Sequence, residues 1–115
     1  MATPKQIETN ACVSAEEGLT RAFSLLGKRW SGVVLGSFGS GPAGFRELSR
    51  AVGGVSDSVL SDRLSELTRA GLIARTVDEG PPVAVSYELT EAGRALLPAL
   101  HQLSAWAEEH LPPQS

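Results

Sequence analysis

The chain has 115 residues, 42% of them apolar and 20% charged, with a net charge of −3; that length fits one domain whose core is lean enough for burial against a second copy to matter. No apolar run approaches the roughly eighteen residues of a bilayer span, and MATPKQIETNAC lacks a signal-peptide core, so a cytoplasmic protein with no membrane partner is expected. The single cysteine, Cys12, excludes an internal disulfide and a cysteine-based zinc cluster, and His101 and His110 are too few and too far apart for a metal site, so no metal and no cofactor are expected.

Residues 1–11 are polar, include Pro4 and show no periodicity, which predicts a flexible arm; residues 12–110 are expected to form the domain and 111–115 a tail. Ser14 with Glu17 makes a capping box ahead of Leu19, Ala22, Phe23 and Leu26 at helical spacing, predicting a first helix over about 15–26. Gly27 breaks it. In KRWSGVVLGSF, Trp30, Val33, Val34, Leu35 and Phe38 are crowded enough to predict a core helix buried on more than one side, closed by Gly39-Ser40-Gly41-Pro42.

A third helix over about 44–52 places Phe45, Leu48 and Val52 on one face and turns Arg46, Glu47 and Arg50 outward. Gly53-Gly54 supplies a tight turn, Ser56 a cap, and Leu60, Leu64 and Leu67 the buried stripe of a fourth helix. Its opposite face carries Asp57, Ser58, Ser61, Asp62 and Ser65, with Arg63 and Arg69 toward the flanks. After Gly71, residues 72–77 read as a strand, 78–82 as a turn and 83–89 as a strand with period-two alternation, which is a hairpin. Thr90 caps a last helix from Glu91 to about His110, its stripe of Leu96, Leu100, Leu103 and Ala107 flanked by Leu97 and Trp106 and too apolar to leave exposed. Pro98 in its interior should bend it or free one carbonyl, and Pro112-Pro113 stops it.

The predicted fold class is mainly α with a small β-hairpin wing: a winged helix-turn-helix framed by terminal helices. Charge is segregated along the chain. Between Lys28 and Arg75 seven basic residues face four acidic ones, while the flanks together hold a charge of −6. A basic middle can be steered toward phosphate while acidic ends face water or a partner subunit; ordinary surface scatter is the bland alternative.

A lone cysteine ahead of the first helix, LLGKRW at 25–30, GPAGFREL at 41–48, SDSVLSDRLSELTRAGLIAR at 56–75 and PPVAVSYELTEAGRALLPAL at 81–100 together resemble the HxlR-type winged helix-turn-helix transcriptional regulators, relatives of the MarR-like repressors. The resemblance runs from Cys12 to about Trp106. It implies a homodimer joined through the terminal helices and bound to a near-palindromic double-stranded DNA operator. The chain departs from the pattern in the wing, where Ala84 and Ser86 occupy two charged places and the tip offers Asp78 and Glu79. A minor-groove arm gains affinity from arginine or lysine, so the wing is expected to be at most a shape contact.

The DNA-binding candidates are Ser58, Ser61, Asp62, Arg63 and Ser65 toward base edges, with Ser56, Arg46, Arg50 and Lys28 positioning the backbone. The alternative is a solvated face, with Arg63 an intrahelical ion-pair partner. Cys12, just ahead of a helix N-terminus, is the candidate redox sensor, and the resemblance implies the same, since some members sense electrophiles or oxidants through a cysteine at this place. With no second cysteine, oxidation can end in a sulfenic acid, a mixed disulfide with a small thiol, or a Cys12–Cys12 bridge between subunits; the alternative is a small buried hydrophobe. A rival trigger is a small apolar effector lined by Phe23, Trp30, His101 and Trp106, against which stands simple core and dimer packing. No nucleophile with a base, carboxylate pair or ligand cluster stands at a spacing that suggests an enzyme. A winged-helix protein-interaction module without DNA binding is the competing function.

Overall fold

A computed structural model describes residues 16–113. The expected arm of residues 1–11, the Ser14 cap, Cys12 and residues 114–115 lie outside that range. The described chain is helical at 16–26 (α1), followed by α2 (Ser31–Gly36), α3 (Phe45–Val52), α4 (Asp57–Arg69), strands β1 (Ile73–Asp78) and β2 (Ala84–Leu89), and α5 (Glu91–His110). This is the predicted order, with the strands starting one residue later than the pattern suggested.

The core is built where the apolar periodicities converge. Val34 and Leu35 of α2, Leu48 of α3, Leu60, Leu64 and Leu67 of α4, Ile73 of β1 and Leu89 of β2 form one buried cluster with Phe38. Leu25 and Leu26 from α1 and Leu96, Leu97 and Leu100 from α5 pack on its rim. Burying each such side chain is worth roughly 1.5–3 kcal/mol against leaving it in water. Val33 does not join them. The sequence suggested burial for it, but α2 buries one side only, and Val33 remains 52% exposed.

The turn between α3 and α4 takes Gly53 and Gly54 through φ of 71° and 80°, the left-handed region that side chains with a Cβ resist. Two caps then fix α4. The Ser56 hydroxyl accepts from Val59 N at 3.1 Å, and at the far end Leu72 N donates to Leu67 O while Gly71 N donates to Thr68 O, closing the helix in a Schellman arrangement. The α3 start is held differently: Glu47 Oε1 accepts from Gly44 N at 3.0 Å.

β1 and β2 pair antiparallel with Ile73 opposite Leu89, Arg75 opposite Tyr87 and Asp78 opposite Ala84. Ala43 adds a single antiparallel bridge to Tyr87, with two backbone hydrogen bonds of 2.8 Å. The hairpin is thereby anchored to the segment that enters α3, which fixes the wing relative to the helix-turn-helix.

The hairpin root is also locked to α5. Thr90 Oγ1 accepts from Gly93 N at 3.2 Å and donates to Gly71 O at 2.6 Å, while Thr90 N donates to Leu72 O. Gly93 is buried here, and a Cβ on it would lie 2.2 Å from the Leu72 carbonyl oxygen. Beyond this junction α5 runs unbroken through Pro98 to His110. Its later apolar residues stand about half exposed: Leu103 is 48% and Trp106 52% exposed, and Leu19 (56%) and Phe23 (55%) on α1 are similar.

Gly93→Ala is expected to destabilise the fold by roughly 1–3 kcal/mol through overpacking against the α4–β1 connection, read as a lower urea midpoint with an unchanged slope. An unchanged midpoint would show that the α5 start can shift without loss.

Candidate nucleic-acid interface

The leucine stripe of α4 decides what the helix can offer to a partner. With Leu60, Leu64 and Leu67 at most 1% exposed, Ser58, Ser61, Asp62 and Ser65 are turned outward, and all four are exposed. Thirteen residues give a rod about 20 Å long, and an α-helix fits a major groove about 12 Å wide. Serine hydroxyls can donate to or accept from base edges, and a carboxylate such as that of Asp62 can accept from a cytosine amine.

Arg63 is not on that face. Its side chain is 14% exposed and pairs with Glu66 at 3.2 Å, one turn along the helix. Three residues after Leu60 and one before Leu64, it sits beside the buried stripe. The ion-pair alternative therefore describes it. Lys28 remains exposed, and its Nζ donates to Glu66 Oε2, tying the α1–α2 turn to the flank of α4. The hydrogen bond from Lys28, helped by the charges of Arg63 and Arg69, holds the Glu66 carboxyl below its usual pKa against the opposing effect of burial.

The remaining backbone candidates lie near the α4 start. Arg46 pairs with Asp57 at 3.3 Å and lies over the Phe45 ring at 5.8 Å; both partners are exposed, so water and phosphate compete readily for either charge. Arg50 is exposed on α3. Ser56 is exposed too, but its oxygen is occupied as the α4 cap.

A groove that no sequence pattern announced runs between α4 and the hairpin, lined by Ser61, Ser65, Thr68, Arg69, Arg75 and Tyr87. Arg69, expected on a flank, is one of its walls. The signal for Arg75 and Tyr87 was the hairpin register: counting by two from buried Ile73 and Leu89 puts both on the face toward α4. Ala84 and Ser86, where the wing lacks charge, belong to the other face.

The four residues considered for an apolar ligand are not brought together. Phe23 borders an open surface groove with Leu19 and Thr20 of its own helix. Trp106 meets His110 at a ring separation of 5.9 Å near the end of α5, and His101 is exposed. Trp30 is a structural wedge. It packs against the core, lies beneath the Arg29 guanidinium at 5.0 Å, and caps α2 with φ of 83°, a left-handed conformation that costs on the order of 1–3 kcal/mol and must be held by its packing. The core and packing alternative therefore describes Trp30. Among the described residues no helix is long and apolar enough to cross a membrane, and no group of three potential ligands is placed to hold a metal.

Comparison with known proteins agrees with this geometry. The family model described as HxlR-like helix-turn-helix matches residues 25–115. The HTH-type transcriptional regulator YodB of Bacillus subtilis is 39% identical over 92 residues, covering 80% of this chain and 82% of its own. The solved reduced form of YodB superposes with a TM-score of 0.73 at 37% identity, over 85% of this chain and 96% of that one. The redox regulator HypR in its oxidised form gives a TM-score of 0.74 at 28% identity, over 84% and 99%. A winged helix-turn-helix with an outward serine face, matched over residues 25–115 by one family model, places this chain in the HxlR-like helix-turn-helix family of transcriptional regulators.

Proposed function

We propose that the chain is a homodimeric, sequence-specific DNA-binding repressor that reads a near-palindromic operator with α4 and is released by an oxidant or electrophile acting at Cys12. The observation that carries DNA reading is the outward presentation of Ser58, Ser61, Asp62 and Ser65 on a helix that the core prevents from rotating. Arg46 and Arg50 flank that face from α3 and position it on phosphate, helped by the backbone amides of the α4 start. Arg63 and Lys28 are left to the Glu66 cluster.

Dimerisation is supported by the uncovered apolar residues of both terminal helices, Leu19 and Phe23 on α1 and Leu103 and Trp106 on α5. A second copy related by a dyad covers them and sets two α4 helices against half-sites about 34–36 Å apart. The Cys12 switch is supported by its place just before α1, one of the proposed dimer helices, and by similarity to regulators solved in reduced and oxidised forms. Modification there reaches DNA by moving the subunits relative to each other.

The test of DNA binding is titration of the protein onto the intergenic sequence upstream of its own gene at several salt concentrations. Affinity should fall steeply with salt, and Arg46→Ala should flatten that dependence by about one ion. Ser65→Glu should weaken specific binding at least tenfold by setting a carboxylate against the bases, on the order of 1.4 kcal/mol or more. A flat salt response in the parent protein would transfer the chain to the protein-interaction class.

Leu103→Glu with Trp106→Glu should raise the dimer Kd by at least about 100-fold, roughly 2.7 kcal/mol, in sedimentation equilibrium. A dimer of parental affinity would remove α5 from the interface. Cys12→Ser should bind DNA as the parent does and stay bound under a thiol oxidant that releases the parent; release of both proteins would eliminate the cysteine switch.

A further inference from the structure

The acidic wing tip leaves open how a winged helix with no basic finger holds the DNA backbone on that side, and the pleat of the hairpin supplies an answer. Residues of a strand alternate between faces. On the face toward α4, the cross-strand pairs are Ile73 with Leu89, then Arg75 with Tyr87, then Val77 with Val85. On the opposite face they are Ala74 with Glu88, Thr76 with Ser86, and Asp78 with Ala84. The α4 side thus carries one cation, Arg75, while the strand carboxylates Asp78 and Glu88 share the other side, where Glu88 approaches Arg94 of α5.

Across the groove, α4 contributes Arg69, Ser61 and Ser65. Among the described residues, carboxylates pair with Lys28, Arg46, Arg63, Arg94 and His110; Arg69 and Arg75 take part in none of these pairs. Glu66, the carboxylate nearest to Arg69 in the helix, is already held by Lys28 and Arg63. Two exposed guanidiniums, the Tyr87 phenol and two serine hydroxyls therefore line one concave strip alongside the proposed reading face. Guanidinium forks bind phosphate through paired N–H donors.

We propose that Arg69 and Arg75 hold a backbone phosphate of the bound DNA between α4 and the root of the hairpin, with the acidic tip standing clear of the minor groove. This rests on the DNA-binding assignment above and specifies which side of the wing meets the duplex.

The test measures binding to a random-sequence duplex of two helical turns over a salt series, with variants whose folding is checked by thermal melting. Arg69→Ala with Arg75→Ala should flatten the plot of log affinity against log salt by about one ion and weaken binding about tenfold at moderate salt. Arg75→Lys should retain most of the slope, since it keeps the charge. Asp78→Asn with Glu79→Gln should change affinity by less than about threefold, because charges beyond a Debye length of about 8–10 Å are screened. The proposal is overturned if the double arginine variant keeps the parental slope while Arg46→Ala lowers it; DNA binding itself then stands. It is equally overturned if neutralising the tip raises affinity more than about tenfold, which would place the tip at the groove. Saturable binding of inorganic phosphate at constant ionic strength, lost in Arg75→Ala while that variant keeps the parental salt slope on DNA, would assign the groove to a free anion and also overturn it. A parent protein with no salt-sensitive binding would remove the DNA assignment and this proposal together.

Discussion

The position of α4 is set by three leucines, and the other functional features follow from that constraint. Leu60, Leu64 and Leu67 lie on one side of the helix and are fully enclosed by α2, α3 and the strands. Turning the helix by one residue, about 100°, would expose leucine and draw serine or aspartate into the core. Each displaced leucine costs roughly 1.5–3 kcal/mol, and each buried polar group without a partner adds about 1–3 kcal/mol. The outward serines are thus presented by the same packing that stabilises the domain. The Ser56 cap and the Gly71 Schellman turn fix where the helix begins and ends, so its axial register is defined as well as its rotation.

Charge follows a comparable division. A net charge of −3 is unfavourable for meeting DNA, but Glu66 is turned inward along the flank of α4, where it holds Lys28 and Arg63. That cluster joins the α1–α2 turn to α4, drawing Arg63 off the surface and tethering the exposed Lys28. The hairpin separates its own charges through its pleat, leaving Arg75 on the concave side and Asp78 and Glu88 on the other. What a duplex would meet is therefore governed by side-chain direction more than by residue counts.

Periodicity made most of this fold legible. The leucine spacing of α4, the glycine pair before it and the alternation of the second strand each encode local geometry directly, and local geometry is what a sequence pattern reports. Long-range placement was harder to read. The Ala43–Tyr87 bridge involves one residue on each side and leaves no repeat to detect. Val33 sits within an apolar cluster, but a six-residue helix packed on one side cannot bury every member. Arg63 was legible in part: its offset of about 60° from the leucine stripe points to a flank, but only the fold brings Lys28 to the same carboxylate. The Arg69–Arg75 groove needed the hairpin register together with the packing of β1 against α4, and neither is a local property.

The last helix shows where a single copy stops accounting for its own sequence. Its first half is used internally: Gly93 lies against the Leu72 carbonyl, and Leu96, Leu97 and Leu100 complete the rim of the core. Its second half continues the apolar stripe past the edge of that core to Leu103 and Trp106. Because the helix is continuous, whatever covers the second half is held at a fixed orientation to the first, and through Thr90 and Leu72 to the hairpin and α4. A chain with such a small core gains from covering that surface, and in the proposed dimer a rigid α5 would set the spacing of the two α4 helices. In the proposed dimer the same continuity would give regulation a route: a change in how the terminal helices meet would be carried along α5 to its junction with the wing and alter the separation of the α4 faces.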